Sequence, residues 1–304
     1  MITTVDIELV GSCNYACKMC PQGEPGRDKQ FLKSMPQNLF EDIIDQCVPM
    51  GLKMVRLHGS GEPTLSKYLA EAVAYCKNLN LKTEITTNGE RLNANLAYDL
   101  VQAGLDYLTV SVIGATESDY KKWMNSESYH LVKQNIKYFN SISTQPSNLY
   151  HLITTNSGVQ DYLDNWHMLV GGTYEIWQMH NWSGAYNNLI YPRQGEKRSC
   201  GRMFQPVLTV RAGGLEDHKA AVVPCCMTLG NDVDAVLGHL DNQTVKEIWN
   251  GELYKNLRQA HSAKQWDNIS YCQNCDQLYQ YKDSLVATNR QDIKYGDIKY
   301  ITLE

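Results

Sequence analysis

Between residues 2 and 180 the chain alternates six short apolar runs of strand type with amphipathic stretches of helical period in the five intervals between them. The strand candidates are Ile2–Val10, Met54–His58, Lys82–Thr87, Tyr107–Ile113, Leu149–Thr154 and Tyr174–His180. The helical stretches are Gln37–Met50, Leu65–Asn78, Leu92–Ala103, a pair around Ser118–Trp123 and Tyr129–Asn140, and Val159–Val170. Gly51, Gly104 and Gly171 follow three of them, where glycine commonly stops a helix. Pro36 suits the start of the first. Strict alternation of strand and helix needs crossover connections, and hence a parallel sheet. In such sheets sites form at the carboxyl ends of the strands.

The loop after the first strand carries Cys13, Cys17 and Cys20, spaced C-x3-C-x2-C. Three thiolates on a tight loop can hold three irons of a [4Fe–4S] cluster and leave the fourth iron open to a ligand that is not protein. An open iron on a reducing cluster argues for an enzyme. The competing reading is a structural zinc knuckle, which closes with four ligands. No further Cys or His follows closely after Cys20; the next are Cys47 and His58. That count, with the strand before it, favours the cluster.

More of the chain bears on this loop. Cys13-x3-Cys17-x2-Cys20 resembles the signature of the radical S-adenosylmethionine (SAM) superfamily. Gly59-Ser60-Gly61-Glu62-Pro63 resembles the family's GGEP segment, and Thr86-Thr87-Asn88-Gly89 its TNG strand end. Ser111-Val112-Ile113-Gly114-Ala115-Thr116-Glu117 resembles its SIDGATxE segment, except that Ile113 stands where many relatives have Asp. The role of that Asp is not carried over. The resemblance spans most of residues 2–190 and implies a partial (β/α)6 TIM-type barrel, open on one side.

Composition sets bounds. The chain has 304 residues, enough for one large core or one core plus a small module. It is 43% hydrophobic and 20% charged, as soluble globular proteins are. A net charge of −5 gives no general basic face, so nucleic acid is not favoured as a partner. No apolar run reaches membrane-spanning length and Met1 leads directly into strand sequence, so a cytoplasmic protein without membrane attachment is expected. In a reducing compartment its ten cysteines read as metal ligands rather than disulfides. Cys47 and Cys76 fall at apolar helical positions and read as core residues.

After about Ile190 the pattern changes, which divides the chain into residues 1–190 and 191–304. Tyr191–Ser199 reads as a linker. Beyond it come Cys200, a strand Val207–Arg211, a turn Ala212-Gly213-Gly214, a strand Ala220–Val223, the pair Cys225-Cys226, a helix around Val245–Ala260, and Cys272-x2-Cys275. Four cysteines accept zinc or iron–sulfur, and spacing alone does not separate the two. The segment resembles the SPASM or twitch domains that follow radical SAM cores, so a small cysteine-rich α+β domain with an auxiliary [4Fe–4S] cluster is implied. With five cysteines here, one auxiliary cluster is expected, held by Cys200, Cys225, Cys272 and Cys275. Cys226 reads as packing or as a hydrogen-atom donor, since neighbouring side chains on an extended chain alternate.

The resemblance also implies roles. Cys13, Cys17 and Cys20 would ligate the first cluster, and SAM would chelate its open iron. Gly61, Glu62 and Pro63 would contact the methionine end of SAM; Asn88 and Ser111 the ribose or methionine moiety; the backbone near Met19 the adenine. One electron, from a flavodoxin- or ferredoxin-type donor, would cleave SAM to a 5′-deoxyadenosyl radical that takes a substrate hydrogen atom. His180, Asn181 and Trp182 follow the sixth strand and are candidate substrate contacts, as are Tyr15 and Arg202. Oxidation or epimerisation of a small polar metabolite such as a sugar or aminocyclitol is expected. Modification of a ribosomal peptide is the alternative, and a non-catalytic iron–sulfur or zinc redox protein is the alternative of another class.

Overall fold

A computed structural model of the chain describes residues 1–23, 29–153, 159–185, 195–229, 233–279 and 285–290. The expected boundary near Ile190, residues 191–194 of the expected linker and Thr154 lie outside the described residues.

Six parallel strands form the core: β1 (Thr4–Ile7), β2 (Met54–Leu57), β3 (Lys82–Thr87), β4 (Tyr107–Ser111), β5 (Ser147–Ile153) and β6 (Gly171–Gln178). Helices α1 (Gln37–Cys47), α2 (Leu69–Asn78), α3 (Ala94–Gln102), α4 (Glu117–Met124) and α5 (Tyr129–Ile142) connect them. Between β5 and β6 lie α6 (Val159–Tyr162), a π-helical turn at Leu163–His167 and α7 (Met168–Val170), where the sequence suggests one unbroken helix. Three caps set helix starts: Asn93 and Thr116 accept from the backbone of Leu96 and Asp119, and Thr244 closes a capping box with Glu247.

The sheet runs β10-β6-β5-β4-β3-β2-β1-β7-β8-β9 and does not close. Its outer face is apolar. Ile7, Val55, Ile85 and Val110 pack with Phe40, Ile44, Val73, Leu100 and Ile136 in one buried core under the helices. Cys47 and Cys76 are fully buried there, as expected, and burial pushes both thiols up to about 12. The inner face is polar, because a half-open barrel keeps a wet lumen. The alternation of Asp6 and Glu8 with Val5, Ile7 and Leu9 therefore turns the acids toward the cavity and the neighbouring strands, and both are buried.

The second half joins the same sheet. β7 (Val207–Ala212) lies parallel to β1, with Asp6 opposite Thr209, and continues antiparallel into β8 (Ala220–Val223) and β9 (Gly238–His239). β10 (Leu285–Thr288) returns antiparallel on β6. The helix expected around Val245–Ala260 is two helices, α8 (Val245–Trp249) and α9 (Glu252–Ser262), because Gly251 between them takes an extended conformation with φ −70° and ψ 169°.

Candidate active site

Two buried carboxylates lock the strand ends together. Glu8 Oε1 accepts from the backbone of Ser60 at 2.8 Å and of Gly61 at 2.9 Å, and Oε2 accepts from Ala212 N at 3.2 Å. Glu62 accepts from Thr64 N at 3.0 Å, Thr64 Oγ1 at 2.7 Å, Thr87 Oγ1 at 2.6 Å and Asn88 N at 2.9 Å. Burial pushes the Glu62 carboxyl up, and the four donors pull against it. Gly61 lies so near β1 that a Cβ would stand 1.8 Å from Val10 O, so only glycine fits.

The cysteine loop is folded onto this frame. Gln22 Nε2 donates to Gly11 O at 2.6 Å, Cys20 N to Cys17 O at 3.1 Å, and Gly23 N to Cys20 O at 2.8 Å. Cys13, Cys17 and Cys20 all face one cavity of about 540 Å³. Burial, with the Glu62 carboxylate, pushes the Cys13 thiol up to about 12; burial, with Cys20 and Cys13, pushes Cys17 up as well. Three half-buried thiols whose thiolate forms would repel one another fit a cationic partner, which offsets that repulsion and favours the thiolates. Of the other expected candidates, Cys47 is in the core under the helices, and His58 Nε2 stands 3.6 Å from Asp6 in the lumen.

The SAM-contact candidates cluster beside the loop. Asn88 Nδ2 donates to Asn14 Oδ1 at 2.9 Å and lies 3.8 Å from Cys13 Sγ. Gly61, Glu62, Ser111 and Met19 line the same cavity; Pro63 opens the turn behind them. Ile113 lines it too and brings an apolar side chain to this wall. Tyr15, a substrate candidate, belongs as much to packing: its hydroxyl meets that of Tyr120 at 2.9 Å inside an aromatic cluster with Tyr129 and Trp166. His180, Trp182 and Arg202 line the cavity, whereas Asn181 is buried against Asp276.

The lumen adds groups that sequence reading did not single out. Arg56 Nε sits 2.6 Å from Asp6. Burial raises the Asp6 carboxyl, but His58 and Arg56 outweigh it and hold it below the usual range. Thr109 Oγ1 donates to Glu84 at 3.2 Å, and Arg290, just past β10, pairs with Glu175 at 2.5 Å. The signal was present in the inward alternation of the strands; which face was inward was not.

Cys200, Cys225, Cys272 and Cys275 surround a second, much smaller cavity. Cys226 instead lines the barrel cavity, where Arg202 Nη1 donates to its sulfur at 3.3 Å. The adjacent pair thus faces two different sites, as alternation along an extended chain suggests. Four thiols around one small space fit a fully thiolate-ligated cluster.

The comparisons with known proteins agree with this layout. The family model described as "Radical SAM superfamily" matches residues 7–159, just over half of the chain, and that described as "Iron-sulfur cluster-binding domain" (SPASM) matches residues 217–276. The chain belongs to the radical SAM superfamily and carries a C-terminal SPASM domain. Its cofactors are accordingly a [4Fe–4S] cluster, SAM and an auxiliary iron–sulfur cluster.

Among curated relatives, a probable GTP 3′,8-cyclase of Methanococcus maripaludis is 30% identical over 137 residues, 45% of each chain. That of Pyrococcus horikoshii is 26% identical over 189 residues, 62% of this chain and 54% of the relative. The chain thus spans about half the length of the curated relatives it matches. Two solved structures share the fold. BtrN in complex with AdoMet and 2-DOIA aligns with TM-score 0.61 at 16% identity, covering 91% of this chain and 93% of BtrN. Streptococcus suis SuiB bound to precursor peptide SuiA aligns with TM-score 0.66 at 15% identity, covering 91% and 70%. Among the described residues, no helix is long and apolar enough to cross a membrane.

Proposed function

We propose that this radical SAM enzyme epimerises or oxidises a carbon centre of a small, hydroxylated metabolite such as a sugar or aminocyclitol, and that epimerisation is the better reading. The observation that carries it is Cys226: a thiol in the barrel cavity, hydrogen-bonded by Arg202 and apart from the four auxiliary cysteines. When bound, the first cluster and SAM supply a 5′-deoxyadenosyl radical for hydrogen abstraction. Cys13, Cys17 and Cys20 hold that cluster, and Gly61, Asn88 and Ser111 flank the SAM position. Cys200, Cys225, Cys272 and Cys275 hold the auxiliary cluster. The buried frame of Glu8 and Glu62 fixes these loops, and Met19, Ile113 and Leu152 add apolar lining to an otherwise polar cavity.

Cys226 then gives its sulfur-bound hydrogen to the opposite face of the substrate carbon radical. An S–H bond breaks, a C–H bond forms, and a thiyl remains. One electron from a flavodoxin- or ferredoxin-type protein and one proton restore the thiol. A cytoplasmic location suits such a donor and an oxygen-sensitive site. The lumen of Asp6, Arg56, His58, Glu84, Thr109 and Glu175 offers donors and acceptors for a ligand dense in hydroxyl or amino groups. The fold neighbour solved with 2-DOIA aligns over nearly its whole length, which favours a small substrate. A ribosomal peptide is the second reading, favoured by the neighbour solved with its precursor peptide. Anaerobic turnover in D2O over a panel of aminocyclitols and sugars tests the assignment. One solvent deuteron in a stereo-inverted product is expected. Oxidised product without deuterium would leave oxidation, and turnover of peptides alone would overturn the small-substrate reading.

A further inference from the structure

Four consecutive residues after β6 touch three cysteine-bearing loops. Trp182 Nε1 donates to Met19 O at 2.7 Å, and Met19 lies between Cys17 and Cys20. Asn181 Nδ2 donates to Asn274 O at 2.8 Å, and Asn274 lies between Cys272 and Cys275. Asn181 and Asp276 exchange two further bonds: Asn181 N donates to Asp276 Oδ2 at 3.1 Å, and Asp276 N donates to Asn181 Oδ1 at 3.0 Å. Ser183 Oγ donates to the carbonyl of Met227, next to Cys226, at 3.3 Å. Asn181 and Asp276 are each 2% exposed, so this junction is shielded from competing water.

The backbone between these contacts is strained. Trp182, Ser183 and Gly184 have φ of 45°, 58° and 99°. Left-handed Trp and Ser persist only where surroundings enforce them. Gly184 is pressed so close to the auxiliary loop that a Cβ would stand 2.7 Å from Asn274 Cβ. The strained turn is thus clamped at both ends by the Cys272–Cys275 loop, through Asn181 and Gly184, and from between them Trp182 holds the carbonyl of the first cysteine loop.

We propose that Trp182 is a positioning residue that couples the two cluster sites: a filled auxiliary site holds Asn181 and the left-handed turn, and the turn holds the Cys17–Cys20 segment in the arrangement that binds SAM. This rests on the SAM site of the superfamily and adds a connection between that site and the auxiliary one. Emptying the auxiliary site frees the Cys272–Cys275 loop, lets the turn relax, and releases Met19 O. SAM affinity then falls although no side chain expected to touch SAM has been replaced.

Two double-mutant cycles test it, read by the equilibrium Kd of SAM and by the change that SAM makes in the EPR spectrum of the reduced first cluster. Asn181→Ala and Trp182→Phe keep every cysteine, and iron content verifies that both clusters are present. Each is expected to weaken SAM binding about tenfold, and the double variant no more than either alone. Cys272→Ser, which disables the auxiliary site, is expected to weaken it similarly, again without addition to Trp182→Phe. Unchanged SAM affinity in Trp182→Phe overturns the proposal, as do additive losses in the first cycle. That cycle decides the matter even if the Cys272 variant does not fold. Absence of SAM binding by the unaltered protein contradicts the superfamily site instead, which keeps the two failures distinct.

Discussion

Arg202 Nη1 reaches Cys226 Sγ at 3.3 Å on the wall between the barrel cavity and the auxiliary cysteines. Replacing Cys226 with alanine removes the proposed hydrogen donor and leaves every proposed cluster ligand in place. We expect 5′-deoxyadenosine to form at a rate within a few-fold of the unaltered enzyme, while solvent deuterium no longer enters the product. Deuterium incorporation that survives in Cys226→Ala places the donor elsewhere.

The division of the cysteines between two cavities predicts iron content. The reconstituted protein should hold about eight irons, as two [4Fe–4S] clusters require. Cys13→Ala, Cys17→Ala and Cys20→Ala together should lower this to about four, and so should Cys225→Ala with Cys275→Ala. Cys226→Ala should keep about eight. If Cys226→Ala loses iron while Cys225→Ala alone does not, their roles are exchanged.

Glu62 is 3% exposed and accepts four hydrogen bonds that join its own turn to the end of β3. Glu62→Ala leaves those donors unmet, at about 1–3 kcal/mol for each that water does not reach. A fall in Tm of many degrees is expected, with loss of the first cluster before the second. Glu62→Gln, which keeps an acceptor, should fall less. Equal Tm values for Glu62→Ala and the unaltered chain would show that the frame is held otherwise.

His151 is buried, stacked on Tyr162 and bonded through Nδ1 to Val112 O. Burial lowers its pKa from 6.5 to about 3, against the Val112 contact. Between those values the unfolded chain takes up a proton that the native chain refuses. Stability therefore rises with pH through this window and falls on acidification below pH 6.5. His151→Asn keeps a donor for Val112 O and removes the titration. Between pH 7 and pH 5.5 the unaltered chain should lose about 1 kcal/mol more than the variant in urea unfolding. Parallel losses would show that His151 takes up its proton while folded.

The parallel βα units were legible because each is written locally, in an apolar run, a cap and a stop. Gly51, Gly104 and Gly171 do take left-handed conformations, with φ of 102°, 84° and 71°. Strand ends and helix starts were less so: the helix expected from Leu65 begins at Leu69, because Pro63–Leu65 forms a 3-10 turn capped by Glu62. The pairing of β7 with β1 and of β10 with β6 depends on partners more than 100 residues apart, which no local period encodes. Within the site, Cys13, Cys17 and Cys20 were readable from spacing because all three lie on one loop, whereas Cys200, Cys225, Cys272 and Cys275 come from separate segments that only the fold brings to one cavity. The pairs Asp6–Arg56 and Glu175–Arg290 were not, because polar alternation does not distinguish a wet lumen from outer solvent. Trp182 was singled out for its place after β6; its bond to Met19 depends on a left-handed turn that its residue type disfavours.

The seam between β1 and β7 bears on how the molecule is made. During synthesis Ile7 leaves the ribosome 200 residues ahead of Val207, which begins the strand that covers its free edge. At 5–20 residues per second that interval is roughly 10 to 40 s. For that time the apolar strand before the cysteine loop waits with one row of backbone groups unpaired by its sheet neighbour. Early capture of iron at Cys13–Cys20, or a chaperone on the nascent strand, would shelter it, and expression without either should yield aggregates of otherwise intact chains.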